Sequence, residues 1–492
     1  LTRVLAVASE VFPLVKTGGL ADVVGALPQA LSSVGIETTT VVPGYPAVME
    51  NLADGAVVRR FADLFGGPAD VVHGTGGGLN LLAIDAPHLF ARPGNPYMAP
   101  DGLEWPDNGI RFAALGAAAA ALATGTVPGR DIRSGLGFDV VHVHDWQAAL
   151  TSAYLHFHPG RRPGTVLTVH NLAFQGMFPA SLFPRLGLPD AAFSVDGLEF
   201  YNLVGFLKAG LVYSDRLTTV SPTYAREITL PENGAALDGV LRQRAASLSG
   251  ILNGIDDAVW NPASDELIAV QFSAGTLARR ADNKTALRQR LGLVADPDVP
   301  VIGVISRLTL QKGLDLLLAR LDALLLRRTG PSIQLAILGA GNPALEHEFA
   351  AAAARHPGGV ACVIGYDEAL AHLMQAGCDA LLVPSRFEPC GLTQLCALRY
   401  GCIPIVSHVG GLADTIIDAN EAALASGVAT GIQFSPVTVD ALEEAVDRAA
   451  RLWQDRDVWQ RMQRNAMAAD VSWRRSAERY AALYRSLEAE RS

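Results

Sequence analysis

Short apolar runs alternate with amphipathic stretches along almost the whole chain. Val4–Ala8 is an unbroken apolar run and predicts a buried strand. Leu20, Val24, Leu27 and Leu31 recur at three- and four-residue spacing, which predicts a helix with one apolar face, ended by Gly35. Thr39–Pro43 reads as the next strand. A strand–helix–strand order of this kind predicts a parallel sheet covered by helices on both faces. Asp70–His73 and Leu79–Ile84 flank the glycine cluster at 74–78 and predict an inserted β-hairpin. That cluster is not a dinucleotide loop, because its glycine spacing is wrong and a strand follows it instead of a helix. Val140–His144, Thr165–His170 and Arg216–Val220 are further strands of this first run.

A second run of the same kind begins near residue 300. Val301–Ser306, Gln334–Gly339, Val360–Ile364, Ala380–Pro384 and Ile403–Ser407 are its strand candidates, each followed by a helical pattern. Turn formers crowd the stretch 253–262 between the two runs. The last segment, from Ser472 to about Glu490, carries a helical apolar stripe at Trp473, Tyr480, Leu483 and Leu487. The pattern therefore predicts an α/β protein of two doubly wound, Rossmann-like domains, 1–253 and 254–471. The final helix, about 472–492, packs back toward the first domain. A length of 492 residues agrees with two domains of ordinary size. The two sheets are expected to face each other across a deep cleft, with ligands beyond the carboxyl ends of the strands.

Bulk chemistry narrows the function. The formal charge is −10, which argues against nucleic acid or an anionic membrane as partner but leaves room for a local basic cluster around an anion. The five cysteines, Cys362, Cys378, Cys390, Cys396 and Cys402, form no C-x-x-C pair and lie in apolar segments, as reduced cytoplasmic thiols do. The N-terminal run lacks the basic start and long apolar stretch of a signal peptide, and the alanine-rich run 113–123 is far too short to span a membrane. A cytoplasmic location is expected.

Five clusters carry candidate chemistry. Lys16-Thr17-Gly18-Gly19-Leu20-Ala21-Asp22 follows the first strand. Its glycines allow close backbone approach and place N–H groups for an anion at a helix start, while Lys16 adds charge and Asp22 an acceptor. A plain strand-to-helix turn would explain the same residues. His142 and His144 share one face of a strand that ends at Asp145. A hydrogen-bonding role suits them better than metal binding, because no further His or Cys stands nearby to complete a set. His170 and Asn171 end another strand. Arg307 and Lys312 occupy the loop after the first strand of the second run, where a guanidinium fork and a compact ammonium suit a phosphate. The densest cluster is Pro384-Ser385-Arg386-Phe387-Glu388-Pro389-Cys390-Gly391-Leu392-Thr393-Gln394. Here a strand ends, a glutamate follows in the loop, and the N–H groups of Gly391, Leu392 and Thr393 open a helix, which favours a phosphate. The string 409–415 repeats Gly-Gly-Leu-Ala-Asp from 18–22.

These strings, together with Asn253-Gly254-Ile255-Asp256, occur in the order found in the bacterial and plastid glycogen/starch synthases of glycosyltransferase family 5, which the chain resembles over essentially its whole length. The resemblance implies a GT-B fold, ADP-glucose as donor, an α-1,4-glucan as acceptor, retention of the anomeric configuration and no metal or other cofactor. The first domain would be the acceptor side and the second the donor side. The resemblance assigns Lys16, Gly18, Gly19 and Asp22 to the donor phosphates or sugar. Asp145, His170, Asn171 and Asn253 would line the sugar pocket, and Arg307 and Lys312 would grip the diphosphate. Glu388 would hold glucose hydroxyls, Cys390, Gly391, Leu392 and Thr393 would cradle sugar and phosphate, and Tyr366 would stack on adenine. Glu388, His170, Arg307, Lys312 and Asp145 are the expected catalytic set. The competing expectations are a retaining transferase that uses UDP-glucose and an inactive glucan-binding homologue. A phosphorylase lacks its pyridoxal lysine segment here, and a dinucleotide oxidoreductase lacks its G-x-G-x-x-G.

Overall fold

The computed structural model describes residues 1–127, 130–131, 137–326 and 332–491. The chain divides into two compact units, Leu1–Asn253 with Trp473–Ser492, and Gly254–Ser472.

The first unit is built on a nine-stranded sheet. Its strands are β1 (Thr2–Val7), β2 (Ile36–Pro43), β3 (Ala53–Phe61), β4 (Ala69–Gly76), β5 (Leu79–Asp85), β6 (Val140–His144), β7 (Gly164–Val169), β8 (Arg216–Thr219) and β9 (Leu248–Gly250). They lie in the order β9-β8-β7-β6-β1-β2-β5-β4-β3. Every pairing from β9 to β5 is parallel, and β4 alone runs against the others, antiparallel to both β5 and β3. The expected hairpin is β4–β5. Its two-residue turn falls on Gly77 and Gly78, whose φ values of 58° and 78° are those a tight hairpin turn demands of glycine. The hairpin extends the main sheet instead of standing apart from it, because β5 pairs with β2. The edge strand β3 escapes the apolar pattern: most of its residues face solvent, among them Arg60, the kind of charge that exposed edges often carry, while Arg59 is buried and donates to the Ala121 carbonyl at 2.6 Å.

Helix α1 (Gly19–Ser33) buries Leu20, Val24, Leu27 and Leu31 against the sheet. The alanine-rich run forms helix α2 (Asn108–Thr124), nearly all of it buried. Small side chains let it approach helix α3 (Asp145–His156) closely, and a side chain at Gly116 would meet the Thr151 backbone nitrogen at 3.0 Å.

The second unit is a six-stranded parallel sheet of β10 (Val301–Ile305), β11 (Gln334–Gly339), β12 (Val360–Ile364), β13 (Ala380–Val383), β14 (Ile403–Ser407) and β15 (Ile432–Phe434). The order is β12-β11-β10-β13-β14-β15. Three-residue β15 is too short to announce itself in the sequence. Helices α4 (Leu314–Leu325), α5 (Thr393–Tyr400) and α6 (Gly410–Thr415) follow β10, β13 and β14. The turn-rich segment after residue 253 is pinned to this unit. Trp260 stacks on His372 at 3.9 Å, and Asp265 accepts hydrogen bonds from His372 Nδ1 (2.7 Å) and Tyr400 OH (2.5 Å). Burial works against a charge on His372, but the Asp265 and Glu368 carboxylates lift its pKa to about 9.

The last helix, α7 (Arg474–Arg491), belongs to the first unit. Trp473, Tyr480, Tyr484 and Leu487 pack with Val4, Val23, Leu27, Ile36, Val140 and Val166, which closes one face of the sheet. Tyr484 is fully buried, whereas Leu483 is only partly so. All five cysteines are free thiols. Among the described residues no helix is long and apolar enough to cross a membrane, and no group of His, Cys, Asp and Glu is disposed to hold a metal ion. Because Tyr480 is wholly buried, Tyr480→Ala should lower the stability of the first unit by about 3–5 kcal/mol, read by urea unfolding.

Candidate active site

In the first unit the candidate residues sit at the carboxyl edge of neighbouring strands. Val7 of β1 pairs with Val143 of β6, and Val143 with Leu167 of β7, so all three strands end level with one another. The loop after β1 carries Lys16, Thr17 and Gly18 into α1. Lys16 Nζ pairs with Asp22 Oδ1 at 2.7 Å and lies 5.3 Å from the Phe12 ring centroid. The loop amides are not arranged as the sequence suggests. The N–H groups of Thr17 and Gly18 donate to the carboxylate of Glu10, the latter at 3.3 Å, so they do not await an anion, whereas the Gly19 N–H at the start of α1 makes no hydrogen bond among the described residues. A Cβ added at Gly18 would meet nothing within 4 Å. The missing side chain there leaves open space and serves no internal packing.

At the ends of β6 and β7, three imidazoles form a contiguous row. The ring centroids of His142 and His144 are 4.1 Å apart, and those of His144 and His170 are 5.3 Å apart. His144 Nδ1 and His170 Nε2 share a hydrogen bond of 3.0 Å. His142 is held by Thr168 Oγ1 at 2.6 Å and by Tyr484 OH of α7 at 2.7 Å. Asp145 opens α3 in the left-handed region, with φ 56°, a conformation disfavoured for a side chain with a Cβ. Its Oδ1 accepts the His170 N–H at 2.6 Å. Asn171 turns its Oδ1 back to the N–H of Ala173 at 3.0 Å. Asn253, shortly after β9, is buried, and its Oδ1 has no partner among the described residues, which marks it as an acceptor awaiting a donor.

Burial sets the protonation of this edge. It depresses His142 and His170 to about 3 and holds His144 well below the ordinary value, so all three are neutral at pH 7. It lifts Asp145 to about 7, although backbone N–H groups of His170 and Asn171 pull the other way.

In the second unit the site again lies beyond the strands' carboxyl ends. Lys312 Nζ contacts Glu388 Oε2 at 2.5 Å, and Ser385 Oγ donates to the same oxygen at 2.9 Å. Two close backbone approaches lock the loops: a side chain at Gly313 would run into Pro384 O, and one at Gly411 into Cys390 O. The Gly-Gly-Leu-Ala-Asp string thus opens a helix in both units, and in the second it also backs the 388–391 loop, where Gly411 N–H donates to Glu388 O at 3.0 Å. Gly391 takes φ 76° directly before α5. The N–H groups of Gly391, Leu392 and Thr393 make no hydrogen bond among the described residues. Arg307 is exposed and forms no ion pair there. Tyr366, just past β12, is 79% exposed.

Comparison with known proteins identifies the scaffold. Residues 3–243 match the family described as the starch synthase catalytic domain, and residues 286–466 match the glycosyl transferases group 1. The chain is 59% identical to a glycogen synthase of Methylocella silvestris over 490 residues, covering 99% of both chains. It is 58% identical to a glycogen synthase of Rhodopseudomonas palustris, covering 100% of this chain and 98% of that one. The chain belongs to the glycogen synthase family. Its fold superposes on the catalytic domain of starch synthase IV from Arabidopsis thaliana, bound to ADP and acarbose, with a TM-score of 0.86 and 31% identity over 99% of each chain. A sucrose-phosphate synthase from Thermosynechococcus elongatus shares the fold alone, with a TM-score of 0.59 at 18% identity over the full length of both.

On this glycogen synthase scaffold, several residues that hold the site escape a reading of the sequence. Glu10 and Tyr97 support the Lys16 loop from 6 and 81 positions away, counting back and forward from position 16. The signal for Glu10 was an acid immediately after a buried strand. Ser385 stood within a motif, but its bond to Glu388 depends on how the loop curls. Tyr484 lies on the apolar stripe of α7 and reaches His142 across 342 positions of sequence.

The protonation pattern has a thermodynamic consequence. His142 and His170 take up protons when unfolded below pH 6.5 but not when folded until about pH 3, so stability falls as pH drops below 6.5. Asp145 acts in the opposite sense: its raised pKa contributes stability below the unfolded value of 3.8 that is lost as pH rises through about 7. Urea unfolding between pH 7.5 and 5 should therefore show a loss that is shallower in His142→Gln and steeper in Asp145→Asn.

Proposed function

We propose that the chain transfers glucose from ADP-glucose to the non-reducing end of an α-1,4-glucan, as in glycogen synthesis, and releases ADP with the α-configuration retained. The observation that carries this reading is the positively polarised edge of the second unit. The free amides of Gly391, Leu392 and Thr393 open a helix after the loop in which Lys312 meets Glu388, and Arg307 stands without a counter-ion among the described residues. A leaving diphosphate needs such an environment, because negative charge grows on it as the anomeric bond breaks. These groups supply that charge compensation without a divalent ion, and we assign the chain no cofactor.

The second unit is the donor side in this reading. Arg307 and Lys312 hold the diphosphate, Tyr366 stacks on adenine, and Cys390 with Gly391 to Thr393 cradles the phosphate and sugar. One oxygen of Glu388 is held by Lys312 and Ser385, and its carboxylate accepts from glucose hydroxyls. The first unit is the acceptor side. Lys16 exchanges Asp22 for a phosphate, and Gly18 and Gly19 leave room for the ligand. Asp145, Asn171 and Asn253 bind sugar hydroxyls. His170 does so while neutral, which matters because positive charge develops on the sugar ring and a charged imidazole would oppose it. In this reading no second carboxylate takes the role that double displacement needs. The acceptor hydroxyl therefore attacks from the face the phosphate leaves. The bond from C1 to phosphate breaks, the bond from C1 to the acceptor O4 forms, and the acceptor proton passes to the departing phosphate oxygen. The five free thiols support a cytoplasmic location.

The test is incorporation of labelled glucose from ADP-glucose into glycogen in the presence of EDTA. Wild type should incorporate label, and Lys312→Ala should lose on the order of a hundredfold or more in turnover. Incorporation from UDP-glucose only would assign the chain to the other retaining transferase, and none from either donor would leave a glucan-binding homologue.

A further inference from the structure

Glu10 is 2% exposed and forms no ion pair among the described residues. A buried carboxylate is costly unless its oxygens are satisfied by donors. Four donors converge on this one. Oε2 accepts the N–H groups of Thr17 and of Gly18 (3.3 Å), and Oε1 accepts Thr17 Oγ1 at 2.7 Å and the hydroxyl of Tyr97. Tyr97 is itself fixed from the core: Ser9 Oγ lies 2.8 Å from its hydroxyl, and Asn108 Nδ2 donates to its carbonyl at 3.0 Å. A continuous set of contacts thus runs from helix α2 through Tyr97 and Glu10 to the backbone next to Lys16.

We propose that Glu10 is a positioning residue of the donor-phosphate loop, holding Thr17 and Gly18 so that Lys16 meets the ligand in a fixed geometry. This rests on the reading of Lys16 as a phosphate contact. The bonds explain why the loop keeps an open conformation at Gly18 although no neighbouring atom packs there. They also divide the labour in the loop. With the amides of Thr17 and Gly18 committed to Glu10, what the loop offers an anion is the Lys16 ammonium, paired with Asp22, and the Gly19 N–H, which makes no hydrogen bond among the described residues.

A double-mutant cycle on the full-length enzyme tests the proposal, using ADP-glucose and glycogen as substrates. Glu10→Gln keeps the shape but removes the charge and one acceptor. Tyr97→Phe leaves the carboxylate and removes one donor, and it carries the test if Glu10→Gln does not fold. Each should lower kcat/KM for ADP-glucose by about tenfold or more, as a misplaced binding group does. In a Lys16→Ala background the same substitutions should cost less than about twofold, because residues that act through one contact are not additive. Equal losses in both backgrounds would overturn the positioning role. A loss in Lys16→Ala with none in Glu10→Gln or Tyr97→Phe would sink the positioning role alone. No loss in Lys16→Ala would remove the reading of Lys16 and the proposal with it.

Discussion

Parallel pairing sends every chain segment that leaves a strand through the same edge of the sheet. In the first unit, the register of Val7 with Val143 and of Val143 with Leu167 brings the ends of β1, β6 and β7 level. Three loops far apart in sequence, carrying Lys16, Asp145 and His170, therefore leave the sheet side by side. The second unit repeats the device. Ile305 pairs with Leu338 and Gly303 with Leu381, so the loops of Arg307 and Glu388 leave from neighbouring strands. The backbone hydrogen bonds of the two sheets thus fix where the chemistry stands before any side chain interacts.

The two edges are electrically different. In the first unit, burial keeps three imidazoles neutral and favours the protonated form of Asp145 near neutral pH. This edge offers hydrogen bonds with little net charge, which suits hydroxyl groups. In the second unit, one lysine is paired with a buried carboxylate while an arginine and three amides stand free among the described residues. That edge attracts negative charge. In the proposed reaction the first edge, apart from Lys16, faces hydroxyl groups and the second faces the diphosphate, a difference set by the burial of a few groups.

Close backbone contact explains residues that a motif comparison treats only as letters. Gly313 and Gly411 lie where any side chain would strike Pro384 O or Cys390 O, so they set the spacing between loops. Gly391 needs its left-handed backbone at the entry to α5. Gly18 is different, because the space before it is empty. Glycines in similar strings thus serve packing in one unit and access in the other.

The apolar pattern by itself determined the two doubly wound units, twelve of their strands and the amphipathic last helix, because burial on a sheet leaves a period that the chain must carry locally. The motifs also marked the loops that hold Arg307, Lys312 and Glu388. The exposed edge strand β3 and the three-residue strands β9 and β15 left no such trace, since the first is mostly solvated and the other two are too short to show a period. Only the tertiary structure decided the hydrogen bonds around those loops. Glu10 could be assigned to the amides of Thr17 and Gly18, Tyr484 to His142, and Asn253 to an unpaired buried acceptor only once the folded loops and helices were in place. Whether the partners are seven positions apart, as Glu10 and Thr17 are, or 342, as His142 and Tyr484 are, such bonds depend on how the loops curl and which side chains meet, and residue order carries no record of that.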